Sequence, residues 1–248
     1  MTAAAEPSAG PPGPRDKLHG RKHGRRLRAG RRATLDTVMP ALEIALPEAG
    51  QGTLDPAALF DPPRAALWLE IGFGAGEHLA AQARAHPEAG FIGCEVYING
   101  VARLVGEIAR AKVNDADLAN IRVFTGDAQR LIEALPEASV DRAFILFPDP
   151  WPKRRHWKRR FVGPRTLATL ARILRDGAEL RLATDHADYL VWMLQHLGRA
   201  EAFEWLARGP ADWRSRPADW PETRFEAKAL RQGRRSTYLS YRRRPRGS

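Results

Sequence analysis

Thiols are all but absent from this chain: Cys94 is the only cysteine among 248 residues. One thiol cannot close an internal disulfide or build a thiolate metal cluster, and this usage fits a reducing cytoplasm. Long apolar runs are missing too, and no stretch approaches the ~18 residues that a spanning helix requires. The Ala/Pro/Gly-rich opening lacks the apolar segment of a signal peptide. Acids are in deficit, 29 against 40 Lys and Arg, for a formal net charge of +11. Such an excess points to a phosphate-rich partner, because neutralising phosphates releases counterions.

The basic residues are unevenly placed. Residues 1–14 read as disordered. From Arg15 to Arg32, nine Lys/Arg face the single acid Asp16. Residues 1–34 are therefore expected to be a flexible arm that touches RNA phosphates and orders on binding, ahead of one domain over 35–248. Leu35 to Ala45 reads as a short helix, and 47–63 as a turn-rich connector. ALWLEIG (66–72), FIGCE (91–95), IRVFTGD (121–127), VDRAFILF (140–147) and AELRLAT (178–184) read as buried strands. Helices are expected over 77–85 and 99–112, after Pro164, and around Tyr189, Met193 and Leu197. FEWLA and STYLSY are weaker strand signals. Strands alternating with helices predict a doubly wound parallel α/β sheet, whose ligands bind beyond the carboxyl ends of the strands.

FPDPWPKRRHWKRR (147–160) is the most informative segment. Asp149 stands between two prolines, and seven of the eight positions 153–160 are Lys, Arg or His. A core strand cannot hold that charge, so the segment reads as an active-site loop that grips nucleic acid, with Trp151 and Trp157 available to stack on bases.

Four expected strands end in acids: Glu70, Glu95, Asp127 and Asp149. After the first comes Gly72-Phe73-Gly74-Ala75-Gly76-Glu77. A dinucleotide fingerprint needs a third glycine at position 77, and Glu77 would repel a pyrophosphate at the helix start. Carboxylates suit a cationic ligand, and S-adenosylmethionine carries a sulfonium and an ammonium. Glu70-x-Gly72-x-Gly74-x-Gly76 resembles the glycine turn of class I methyltransferases. In that pattern Glu95 takes the ribose hydroxyls and Asp127 the adenine amino group.

The resemblance narrows further. LEIGFGAGEHLA, FIGCEVYINGV, FPDPWPKRRHWKRR, ATDHADYL and TRFE, in this order, resemble the bacterial tRNA (guanine-N7)-methyltransferase family over about 66–230. The resemblance implies a Rossmann-like class I fold with a mostly parallel seven-stranded sheet and helices on both faces. It implies methylation of guanine N7 in the tRNA variable loop, at position 46. It makes Glu70, Gly72, Gly74, Gly76, Glu95, Asp127 and Asp149 cofactor contacts, with Asp149 also catalytic. Lys153, Asp185, Thr223, Arg224, Phe225 and Glu226 become substrate contacts, and Arg155, His156, Trp157, Lys158, Arg159 and Arg160 an RNA-binding patch. Two departures stand out: Cys94 replaces an aliphatic residue, and Lys228 and Ala229 replace an Arg and a Gly.

Guanine N7 carries a lone pair and no hydrogen, so attack on a sulfonium methyl needs alignment and electrostatics rather than a base. No Ser/His/Asp or Cys/His arrangement is evident, in keeping with that. His156 and His186 lack ligand-spaced partners, so no metal site is expected. Thr223-x-x-Glu226 also fits a capping box, and Asp185 a helix N-cap. A methyltransferase of another RNA or of a small molecule, and a non-catalytic RNA-binding protein, remain as rival readings. The sequence leaves monomer and homodimer open.

Overall fold

The computed structural model describes residues 20, 22–48, 52–113 and 118–247. The stretch 1–14 read as disordered lies outside them.

The strands are β1 (Ala66–Ile71), β2 (Ala89–Cys94), β3 (Ile121–Phe124), β4 (Val140–Leu146), β5 (Leu174–Thr184), β6 (Phe203–Trp205) and β7 (Thr237–Arg243). They form one seven-stranded sheet in the order β3-β2-β1-β4-β5-β7-β6. β1 to β5 are mutually parallel, and β7 runs antiparallel to both β5 and β6. The helices are α1 (Ala29–Val38), α2 (Glu77–Ala85), α3 (Ile98–Val113), α4 (Ala128–Ala134), α5 (Pro164–Ile173), α6 (Ala187–Arg199), α7 (Ala211–Arg214) and α8 (Arg224–Arg231).

Side chains alternate along each strand, and this splits the core in two. Leu67, Leu69 and Ile71 of β1 and Ile145 of β4 join Leu170 of α5 and Met193 of α6 on one face. Trp68 and Phe144 join Leu79 of α2 and Leu104 and Val105 of α3 on the other. Each face is covered by helices, so the strands read as near-continuous apolar runs.

The early helix sits elsewhere than the 35–45 expected. α1 spans Ala29–Val38 and gives way to a 3-10 turn over Met39–Ala41, where Pro40 has no N–H to continue the helical hydrogen-bond ladder. It packs along α3, so a helix crosses the boundary placed at residue 34. β5 starts four residues before AELRLAT, and the short α4 carried no periodicity long enough to be read. Among the described residues no helix is long and apolar enough to cross a membrane.

Candidate active site

Sheet order reverses between β1 and β4, which opens a crevice over their carboxyl ends. The glycine turn after β1 lines it. Gly72, Gly74 and Gly76 have φ of 75°, 58° and 79°, left-handed values that glycine adopts without strain. Gly72 N–H donates to Cys94 O at 2.8 Å, tying the turn to the end of β2. A Cβ at Gly72 would meet nothing within 4 Å, so the space above it is open to a ligand. Gly76 caps α2, and a Cβ there would lie 2.7 Å from Leu104 Cδ1.

Glu95, just past β2, holds two loops at once. Its carboxylate accepts from Gly74 N–H and from Tyr97 N–H, both at 2.8 Å. Burial pushes its pKa up, the Tyr97, Gly74 and Val96 amides pull it back in part, and the charge of Asp149 raises it further. Glu95 and Asp149 therefore feel one another across the crevice. Asp127 caps α4 by accepting from Gln129 N–H at 2.9 Å, and its second oxygen makes no hydrogen bond among the described residues.

Glu70 departs from the picture of a free acid at the rim. It lies inside β1, 3% exposed, with Oε2 2.7 Å from His78 Nδ1. Phe144 and Trp220 pack edge-on against His78. The pair clasps the first turn of α2 to β1 beneath the glycine turn. Cys94 is equally inward: its thiol donates to Gly126 O at 3.6 Å, and burial pushes its pKa well above the usual thiol range.

The loop carrying Asp149 is strained at both ends, with Phe147 and Trp151 at φ of 50° and 43°. Non-glycine residues persist in that region only where their surroundings hold them. Phe147 N–H donates to Ala183 O at 2.8 Å on one side. Arg160 Nε donates to Pro150 O at 2.9 Å on the other. Asp149 itself is exposed at the rim, yet neighbouring protein strips enough water from its carboxyl to raise its pKa.

Arg160 is not part of an RNA-contacting surface. Its side chain is fully buried and pairs with Asp188. The guanidinium carbon lies 4.9 Å from the Trp157 ring centre and 5.0 Å from those of Tyr189 and Trp192. Trp157 is spent in the same cluster, packed on Trp192, and so is no free stacking platform. Lys153, Arg155 and Lys158 are exposed on the 3-10 turn Arg154–Arg159 or beside it. His156 and Arg159 flank Trp151, with Arg159 5.0 Å from its ring centre.

α8 closes over the glycine turn from the C-terminal side. Thr223 and Glu226 form the expected capping box. Arg224 pairs with Glu77 and also donates its N–H to Glu77 at 3.0 Å. The Phe225 ring lies on Gly74, with Cε2 2.9 Å from where a Cβ would stand. Glu226 accepts from the Tyr238 hydroxyl and pairs with Arg216 at 3.5 Å. Asp185 pairs with Arg234 at 3.3 Å. The N-cap of α6 is His186 rather than Asp185, accepting from Tyr189 N–H at 3.4 Å. His78, Tyr238, Arg216 and Arg234 carried no sequence signal for these roles, because their partners stand between 8 and 49 positions away. Among the described residues no group of three His, Cys, Asp or Glu is placed to hold a metal ion.

This sheet order, with an acid-flanked glycine turn at the reversal, is that of a class I methyltransferase. Solved structures share it. The 16S rRNA methyltransferase KamB matches at a TM-score of 0.50 and 17% identity, over 73% of this chain and 89% of that one. A mutant 16S rRNA (adenine(1408)-N(1))-methyltransferase from Catenulisporales acidiphilia also matches at 0.50, with 16% identity, over 77% and 92%. A family model described as a putative methyltransferase matches residues 64–239. The chain is 51% identical over 233 residues to the tRNA (guanine-N(7)-)-methyltransferase of Rhodospirillum rubrum, covering 94% of this chain and 89% of that protein. With the protein of that name from Nitrobacter hamburgensis it shares 46% identity, over 90% and 85%. The chain belongs to the tRNA (guanine-N(7)-)-methyltransferase family.

Proposed function

We propose that this chain methylates N7 of guanine 46 in the tRNA variable loop, with S-adenosylmethionine as methyl donor and 7-methylguanosine and S-adenosylhomocysteine as products. The names of its relatives support the base and the atom. The observation that carries the chemistry is Asp149, held on a strained loop pinned at Phe147 and Pro150 and electrostatically linked to Glu95.

The residues present fit such a methyl donor. The space above Gly72 is open, and the carboxylates of Glu95 and Asp127 match ribose hydroxyls and an adenine amino group. Gly72, Gly74 and Gly76 let the backbone approach closely, while Glu70 acts from beneath by fixing His78 and α2. When bound, S-adenosylmethionine supplies an electrophilic methyl on a positively charged sulfur.

Because N7 has no proton to lose, this chain's residues contribute position and field rather than a base. Asp149 orients the purine and offsets positive charge as it builds on the ring. The guanine edge presents N1–H and N2–H2, a pair suited to one carboxylate. We assign that role to Asp185 or Glu226; base entry would exchange Arg234 of the one, or Tyr238 and Arg216 of the other, for those donors. Thr223, Arg224 and Phe225 shape that side of the crevice. Lys153, Arg155, His156, Lys158 and Arg159 face the RNA backbone. Action on tRNA sets the work in the cytoplasm.

The test is to incubate tRNA with the purified chain and labelled S-adenosylmethionine, digest it, and map the modified nucleoside. Label in 7-methylguanosine at the variable loop is expected. Label on another base or atom, or none, overturns the reading.

A further inference from the structure

Outside the residues of the candidate site, Arg25, Arg26, Arg28, Arg31, Arg103 and Arg110 are exposed and have no acidic partner among the described residues. Six uncompensated guanidiniums on two adjoining segments are not explained by stability, since exposed pairs contribute little and unpaired like charges repel. Nor do they belong to the 153–160 block. That block follows β4, whereas α3 follows β2 on the opposite side of β1.

The segment leading into α1 is docked on the protein itself. Ile98 N–H donates to Lys22 O at 3.0 Å. Asn99 grips the chain with both ends of its amide: Oδ1 accepts from Gly24 N–H at 2.8 Å, and Nδ2 donates to Arg25 O at 2.7 Å. A Cβ at Gly24 would meet the Tyr97 hydroxyl and the Asn99 amide, so a larger residue would have to displace those side chains. Tyr97 belongs to the loop that Glu95 organises and Asn99 to the first turn of α3 that follows it, so the basic segment is fastened beside the rim of the crevice.

From there α1 runs along α3. A groove of about 540 Å³ lies between them, floored by small residues including Gly30, Ala102 and Gly106, with Arg31, Arg103 and Arg110 on its walls; a Cβ at Gly30 would meet nothing within 4 Å, so the groove is open there. Arg103 and Arg110 stand seven residues apart, two helical turns or about 10 Å along one face.

We propose that this groove and the docked segment form a second phosphate-binding surface for the RNA substrate. It grips the RNA on the β2 side of the crevice while the 153–159 block holds it on the β4 side. Arginines spread over an open groove suit a polyanion rather than one buried phosphate, because guanidinium forks bind successive phosphates and release counterions. The proposal rests on the reading that this chain acts on tRNA. Binding on both sides would hold the target base over Asp149 against rotation about either patch alone.

The test compares the full chain with the triple variant Arg31→Gln, Arg103→Gln, Arg110→Gln. tRNA affinity is measured across a salt series, with S-adenosylhomocysteine affinity and thermal melting alongside. The expected result is tRNA binding weakened roughly tenfold or more at low salt, with a log–log slope shallower by about two to three. S-adenosylhomocysteine affinity should not change. An unchanged tRNA affinity and slope overturns the proposal. So does loss of binding to anionic lipid vesicles with tRNA binding intact, which would mark a membrane-facing surface. Should the triple variant not fold, Arg103→Gln and Arg110→Gln alone, each expected to reduce the slope by about one, decide the matter. Wild type is assayed in parallel. If it leaves tRNA unmethylated, the functional reading fails. If it is active and the variants keep its slope, only the second surface fails.

Discussion

Arg160 donates to the Pro150 carbonyl at 2.9 Å from inside a cage of Trp157, Tyr189 and Trp192. The buried cation thereby fixes the residue next to Asp149. The Asp188 carboxylate completes the arrangement from the side that meets water.

Arg160→Lys should therefore lower turnover more than tRNA affinity. An ammonium keeps the charge but loses the planar fork that reaches Pro150 O and Asp188 together. The variant should be destabilised by about 1–3 kcal/mol, from the lost charged hydrogen bond and weaker ring contacts. Urea melts and single-turnover transfer measure the two effects. Weakened tRNA binding with turnover and stability intact would return Arg160 to the RNA surface.

Asp149→Asn should abolish methyl transfer yet leave the fold as stable as wild type or slightly more so. Burial raises the Asp149 pKa, so the ionised form is disfavoured in the folded state relative to the unfolded one. That penalty is present at neutral pH and fades as pH falls through the raised folded pKa. The stability gap between variant and wild type should accordingly narrow in acid. Melting curves between pH 4 and 8 would expose the opposite trend.

Gly76→Ala should cost about 1–3 kcal/mol for the left-handed backbone alone, and the added methyl would also crowd Leu104. Because Gly76 caps α2, S-adenosylhomocysteine affinity should drop with stability. A variant that melts and binds like wild type would show that the turn relaxes freely.

Glu70→Ala should act chiefly on stability. It leaves His78 without its Nδ1 partner in a buried site, a loss of about 1–3 kcal/mol. Calorimetry with S-adenosylhomocysteine should show a smaller change than the melt does. A normal melting curve with abolished binding would instead make Glu70 a direct ligand contact.

The basic architecture was legible because its signals are local. Continuous apolar runs such as ALWLEI and VDRAFIL mark strands covered on both faces. The glycine turn and the acids after β2, β3 and β4 can be read as short spacings. α2 was placed at Glu77–Ala85 because Gly76 and the turn before it define its start. The failures have an equally physical origin. Arg160 reads as one more cation in a run of seven, and nothing in that run says that Trp157 and two rings about thirty positions further on, Tyr189 and Trp192, surround it. Trp157 looked like a platform until Trp192, 35 residues on, was seen to cover it. Glu70 looked like the other acids until His78 was found to take its carboxylate.

By itself, then, the sequence determined the alternating sheet, the glycine turn, the FPDPW loop with its basic run, and the surplus of positive charge. Each depends on residue type and spacing over a few positions, which backbone geometry converts directly into structure. Tertiary structure alone decided which cations are buried and which face outward, which acids are clasped and which stay exposed, and where the basic segment docks. Those outcomes depend on burial and pairing between residues up to 147 positions apart, as in Glu77 with Arg224. Only folding brings such groups within hydrogen-bonding distance.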